Sequence, residues 1–223
     1  MSGGDVRPVL FDLDGTLIAT RRLYLEAFAD ALEPVLDRRA THDEMMALRP
    51  RAEARFLREV GGDEAHPDVM DRFWVAYEAR HAADFEGIYP GVPELLAVLR
   101  GRGLPLGLVT GKSRRTWEIT RPHVEGALGR FDALVFDDDV PEPKPDPSGI
   151  LLALEALAAG PEGCVYVGDT YSDLEAARSA GLVPVGALWS KRPHEREAFA
   201  THARSLDGFV VESPSDLADA LAM

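Results

Sequence analysis

Cysteine is nearly absent. Cys164 is the only one in 223 residues, so no disulfide can form within the chain, and its setting in GCVYVGD reads as an inert thiol in a buried strand. That usage suits a reducing compartment. Cations are scarce too: lysine and arginine total 24 against 38 acidic residues, a formal net charge of −14. Such a surface repels nucleic acid and anionic lipid at long range, so neither is expected as a partner. Long apolar runs are missing: no uncharged stretch reaches membrane-spanning length, and MSGGDVRPVLFDLDG lacks the basic, apolar and small-residue sections of a secretion signal. We expect a soluble cytoplasmic protein. A nucleotide-binding loop is missing as well, because LPLGLVTGKSRR carries Leu106 where the P-loop pattern requires its first glycine.

What is present is a regular alternation. A 46% hydrophobic content supports a sizeable core. Short apolar runs end near Asp14, Thr110, Asp137, Asp169, Leu188 and Val211, separated by helical patterns. This predicts an α/β fold, a parallel sheet covered by helices on both faces, with ligands bound beyond the carboxyl ends of the strands. From Thr20 to Glu86 the patterns are helical only, with Phe28, Leu32 and Leu36 on one apolar face. The expected plan is an α/β core of residues 1–19 and 87–223, with residues 20–86 inserted after the first strand. Hinges are expected near Ala19-Thr20 and Gly87-Gly91. Helix starts are expected at Thr41 with Glu44, Ser172 with Glu175, and Ser213-Pro214, with Ser113 capping the helix after the second run.

The strand ends carry the chemistry. Asp12 and Asp14, in DLDGTL, sit two residues apart where a strand gives way to glycine. Two carboxylates so placed repel each other unless a cation or a shared proton offsets them, which implies a metal. Asp169 and Asp173, in GDTYSD, are spaced to face one point from a strand end and the first turn of the next helix. Carboxylate oxygens suit Mg²⁺. Lys144, in PEPKPDP, stands in a loop stiffened by proline, which can present an ammonium with little ordering entropy to lose. Asp137-Asp138-Asp139 reads as a solvated strand end.

The four elements DLDGTL, LVTGK, PKPDP and GDTYSD occur in the order found in the haloacid dehalogenase-like hydrolases. Across nearly its whole length the chain resembles the phosphatases of that superfamily that carry a helical cap after the first motif, in particular the phosphoglycolate phosphatase group. The resemblance implies a doubly wound, Rossmann-like core and hydrolysis of a small phosphorylated metabolite through an aspartyl-phosphate. It implies Asp12 as nucleophile and Asp14 as the acid and then the base. Mg²⁺ would be held by Asp12, Asp169 and the Asp14 carbonyl, with Asp173 steadying the site. Thr110, Gly111 and Lys144 would bind the phosphoryl oxygens. Asp14 argues against dehalogenation, since a halide leaves without a proton. A sugar-phosphate mutase similar to β-phosphoglucomutase is the alternative within the superfamily, while a receiver domain does not fit an acidic pair on the first strand followed by a helical insert. Substrate choice is expected to lie in the insert, where Arg49, Arg51 and Arg55 form a basic cluster, with Lys112 as a neighbour of insert or substrate. The chain is expected to act as a monomer or homodimer.

Overall fold

Val9, Leu10 and Phe11 are almost fully withdrawn from solvent, a run with no polar face that only the middle of a sheet covered on both sides can accommodate. The computed structural model describes residues 7–47, 52–63 and 66–222. Its strands are β1 (Val9–Phe11), β2 (Ile18–Ala19), β3 (Gly87–Ile88), β4 (Leu106–Val109), β5 (Ala133–Val135), β6 (Val165–Gly168), β7 (Val183–Ala187) and β8 (Phe209–Val211). Six of them form one parallel sheet in the order β5-β4-β1-β6-β7-β8. The six apolar runs of the sequence are these six strands.

Alternation along β1 divides the core. Val9 and Phe11 join one apolar cluster with residues of α5 (Val92–Gly101), α6 (Arg114–Leu128) and α10 (Pro214–Ala220). Leu10 points the other way, into a cluster with α7 (Ser148–Ala156) and α8 (Tyr171–Ser179). Beyond α8, α9 (Pro193–Ser205) packs on β7 and β8. Gly107 explains the glycine of LPLGLVT: a Cβ there would lie 2.4 Å from Leu10 Cδ2, so its small size lets neighbouring strands pack.

The chain leaves β1 for one half of the sheet and returns through β6 to the other half. The carboxyl ends of β1, β4 and β6 therefore meet at the switch point, where α/β sheets bind ligands. Just after β1, the antiparallel ribbon of β2 and β3 pairs Ile18 with Ile88 and Ala19 with Gly87. Between its two strands lie α1 (Arg21–Leu36), α2 (His42–Ala47), α3 (Glu53–Gly61) and α4 (His66–Asp84). This insert has its own apolar cluster, which includes Phe28, Leu32, Phe56 and Phe73 with Leu36 packed against it. The rings of Phe28 and Phe56 lie 4.6 Å apart and those of Phe28 and Phe73 4.9 Å.

Thr41 and Glu44 exchange hydrogen bonds as expected, and Ser113 and Ser213 cap α6 and α10. The start of α8 differs from expectation: its cap is Thr170, not Ser172, and the reciprocal partner is Asp173, not Glu175. Asp173 bonds back to Thr170, which fixes its carboxylate at the sheet end. Asp137–Asp139 form a 3₁₀ turn rather than a plain strand end, and Asp139 accepts from the Phe136 amide.

Insert and core meet where α4 packs on α6. There His81 is 4% exposed, stacks on His123 at 4.1 Å, and neither ring nitrogen has a hydrogen-bond partner among the described residues. Burial first, then the His123 and Lys112 charges, push its pKa down to about 4. In the unfolded chain His81 takes up its proton near its ordinary value of about 6.5. Between those two values the unfolded state binds more protons, so this contribution weakens as pH falls from about 6.5 to about 4. Urea titrations should show about 1–3 kcal/mol lost over that window, and His81→Phe should flatten the slope. An equal slope in the variant would place the acid sensitivity elsewhere.

Candidate functional site

Sheet topology, rather than sequence distance, assembles the site. Asp12 follows β1, Thr110 follows β4 and Asp169 follows β6, while α8 adds Asp173 from its first turn. Gly15 allows the close approach of the first loop. Its φ is +88°, and a Cβ there would fall 2.5 Å from Asp169 Oδ1.

Lys144 is the centre of charge. Its Nζ lies 2.7 Å from Asp12 Oδ1 and 2.6 Å from Asp173 Oδ1, and it donates to Tyr166 OH at 2.9 Å. Tyr166 OH in turn donates to the Val109 carbonyl at 2.7 Å. The Asp173 Oδ2 atom accepts from the amide and hydroxyl of Thr170 at 2.9 and 2.6 Å. On the other side, Asp169 Oδ2 lies 3.1 Å from Lys191 Nζ.

Burial dominates the electrostatics and acts differently on each group. It pushes the Asp12 carboxyl well above the ordinary carboxylate range; Lys144 opposes this, and the Asp173, Asp169 and Asp14 charges reinforce it. Asp169 is likewise raised by burial, against the pull of Lys191. For Asp173 burial is outweighed by Lys144 and by the Thr170 hydrogen bonds, so it stays below the ordinary range. Burial alone would lower Lys144, yet Asp12 and Asp173 hold it well above the usual lysine value.

Asp12, Asp169 and Asp173 each bring a carboxylate oxygen within 4.8 Å of the others. Asp169 Oδ1 is buried without a hydrogen-bond partner among the described residues. Three clustered carboxylates with an orphaned oxygen fit a hard divalent cation that takes oxygen ligands.

Thr110 is buried, its Oγ1 accepting from the Lys112 amide at 3.2 Å, and Thr110, Gly111 and Lys144 line one small cleft. Asp14 turns toward the helical insert. Its Oδ1 accepts from Thr20 Oγ1 at 2.7 Å and lies 3.3 Å from Lys112 Nζ. Arg55 reaches from α3 to Glu142 at 2.9 Å and to the Pro141 carbonyl, which ties the insert to the loop bearing Lys144. Arg49 and Arg51 lie outside the described residues.

Lys191, Tyr166, Tyr24 and Glu53 join the candidate site without a role expected from the sequence. Lys191 had a signal, since LWSKR directly follows the fifth apolar run. Tyr166 sits inside a buried strand and looks like core. Nothing in the local sequence ties Tyr24 or Glu53 to the first motif.

The haloacid dehalogenase-like hydrolase family pattern matches residues 6–181. A pyrophosphatase PpaX of Listeria monocytogenes is 34% identical over 217 residues, which is 96% of this chain and 95% of its own length. Among solved structures, CbbY of Rhodobacter sphaeroides in complex with phosphate is 30% identical, with a TM-score of 0.70 over 82% of this chain and 86% of CbbY. A Haemophilus somnus protein, a predicted phosphoglycolate phosphatase, shares the fold with a TM-score of 0.78 at 21% identity, covering 98% of this chain and 99% of its own.

Proposed function

We propose, from the premise that this chain belongs to the haloacid dehalogenase-like hydrolase family and is one of its phosphatases, that it is a Mg²⁺-dependent phosphomonoesterase working through an aspartyl-phosphate. The observation that carries this reading is the buried Asp12 carboxylate, gripped by Lys144 on one oxygen and flanked by Asp169 and Asp173. A buried carboxylate among like charges, beside a fixed ammonium, is suited to act as a nucleophile toward an anionic centre once a second cation is present.

In the proposed reaction a carboxylate oxygen of Asp12 attacks phosphorus in line, forming an acyl-phosphate bond as the bond to the leaving oxygen breaks. Asp14 donates its proton to that oxygen. It then takes a proton from water, whose oxygen attacks phosphorus, releasing inorganic phosphate and restoring Asp12. Thr110, the Gly111 amide and Lys144 hold the phosphoryl oxygens as their charge redistributes. Mg²⁺, held by Asp12, Asp169 and the Asp14 carbonyl with Asp173 steadying the set, would supply the charge that keeps Asp12 ionised beside a phosphate.

Residues 20–86 serve as a cap over a core of residues 1–19 and 87–223, with the β2–β3 ribbon as the hinge. The substrate is a small phosphorylated metabolite, and phosphoglycolate, pyrophosphate and sugar phosphates are the first candidates. The test is a phosphate-release screen across such a panel with Mg²⁺. EDTA should reduce release to background and added Mg²⁺ should restore it. Full turnover in EDTA would sink the mechanism.

A further inference from the structure

Lys112 is the most deeply buried cation of the described residues, its side chain fully enclosed, and the proposed reaction gives it no task. Burying an ammonium is strongly unfavourable unless its donors are met. Here three acceptors surround Nζ: Tyr24 OH at 2.6 Å, Tyr77 OH at 2.8 Å and Asp14 Oδ1 at 3.3 Å. Nζ also lies over both tyrosine rings, 4.4 and 4.8 Å from their centroids.

Both tyrosines belong to the cap, and a second buried charge from the cap completes the arrangement. Glu53, on α3, accepts from Tyr24 OH at 2.5 Å, from Thr116 Oγ1 at 2.6 Å and from the Ser113 amide at 3.3 Å. The bonds therefore run from Asp14 through Lys112 and Tyr24 to Glu53 and back into the core at α6. Tyr77 is fixed separately by Thr120 at 3.0 Å.

A clasp between domains would need no catalytic carboxylate. The third acceptor is Asp14, and the contacts treat its two oxygens unequally. Oδ1 is held by Thr20 and Lys112. Among the described residues Oδ2 has only Tyr24 OH at 3.5 Å, at the outer limit of a hydrogen bond, and the single Tyr24 proton is committed to Glu53. The Asp14 side chain remains 22% exposed, so Oδ2 is the oxygen able to carry a proton to a leaving group.

We propose that Lys112 is a positioning residue for Asp14, held in place by Tyr24, Tyr77 and Glu53 of the cap, so that Oδ2 is aimed for proton transfer only while the cap is seated. This rests on the reading of Asp14 as the acid. The experiment compares kcat/KM for two probes of similar shape, phenyl phosphate and 4-nitrophenyl phosphate. The nitrophenolate departs without a proton, whereas the phenolate needs one, and kcat/KM stops at formation of the aspartyl-phosphate, before Asp14 acts as base.

Lys112→Met should lower kcat/KM for phenyl phosphate on the order of 10²-fold and for the nitro ester less than about fivefold. Tyr24→Phe should shift the ratio in the same direction by a smaller factor, and it decides the matter if Lys112→Met does not fold. A purely structural role would lower both probes equally, and that result overturns the proposal. Asp14→Asn separates the two ideas. If it shows the differential while Lys112→Met and Tyr24→Phe do not, the acid reading stands and the positioning role fails. If Asp14→Asn shows none, the acid reading fails and the positioning role falls with it.

Discussion

Asp12→Asn should abolish phosphate release, by at least about 10⁴-fold, while leaving the fold intact. The amide occupies the same volume, and its oxygen can still accept from Lys144 Nζ, which lies 2.7 Å from Oδ1 in the native chain. It also removes one of three clustered negative charges, so stability should change by no more than about 1 kcal/mol. What is lost is the proposed nucleophile, because an amide oxygen cannot form the acyl-phosphate. Single-turnover measurements should therefore show neither free phosphate nor phosphate bound covalently to the chain. Substrate should still bind, since the proposed phosphate-binding groups Thr110, Gly111 and Lys144 are untouched. Turnover within about tenfold of the native rate would place the nucleophile elsewhere and remove Asp12 from the centre of the mechanism.

The parts of this site legible in the sequence are those whose position follows from local chemistry. Asp12, Thr110 and Asp169 each end an apolar run, and a parallel sheet brings such ends together whatever lies between them. Lys144 was legible for another reason: the prolines around it mark a stiff loop in a chain poor in cations. The Thr170 cap is hidden in the sequence because Ser172 and Glu175 satisfy the same pattern two residues later. The choice between them was made by Asp173, whose carboxylate bonds back to Thr170 while it pairs with Lys144. Lys112 was harder still. It was expected beside the insert or the substrate, yet its partners Tyr24 and Tyr77 lie 88 and 35 residues away in sequence, and only the packing of α1 on α4 and of α4 on α6 brings them to it. Amphipathic periodicity identifies which face of a helix is buried but not what lies opposite that face. The insert was therefore readable as helices and unreadable as an interface.

Lys144→Met should combine the second largest loss of activity with a stability defect whose pH dependence identifies its cause. Removing the ammonium proposed to bind the phosphoryl group should lower kcat by about 10²–10³-fold. The same change leaves Asp12 and Asp173 without the cation that lies within 2.7 Å of both. Stranding buried carboxylates in this way costs about 3–5 kcal/mol at neutral pH. Asp173 and Lys144 fix the sign for their own pair, while Asp12, held above the ordinary carboxylate value by burial, contributes the opposite way as pH falls. Asp173 is held below the ordinary carboxylate value, burial being outweighed by Lys144 and Thr170, so its stabilisation is present above that value and is lost as pH falls through the folded one. Lys144 is held above the ordinary lysine value by Asp12 and Asp173, against burial. Its stabilisation is complete below that value and is lost only as pH rises through the folded one. The native chain should therefore lose stability in acid through this pair, while the variant, with Lys144 no longer depressing Asp173, should lose less. Urea titrations in EDTA should show the gap between them closing from neutral pH toward pH 3. A gap that stays constant would mean that methionine disturbs packing around Tyr166 rather than charge, and Lys144 would then act on the phosphoryl group alone.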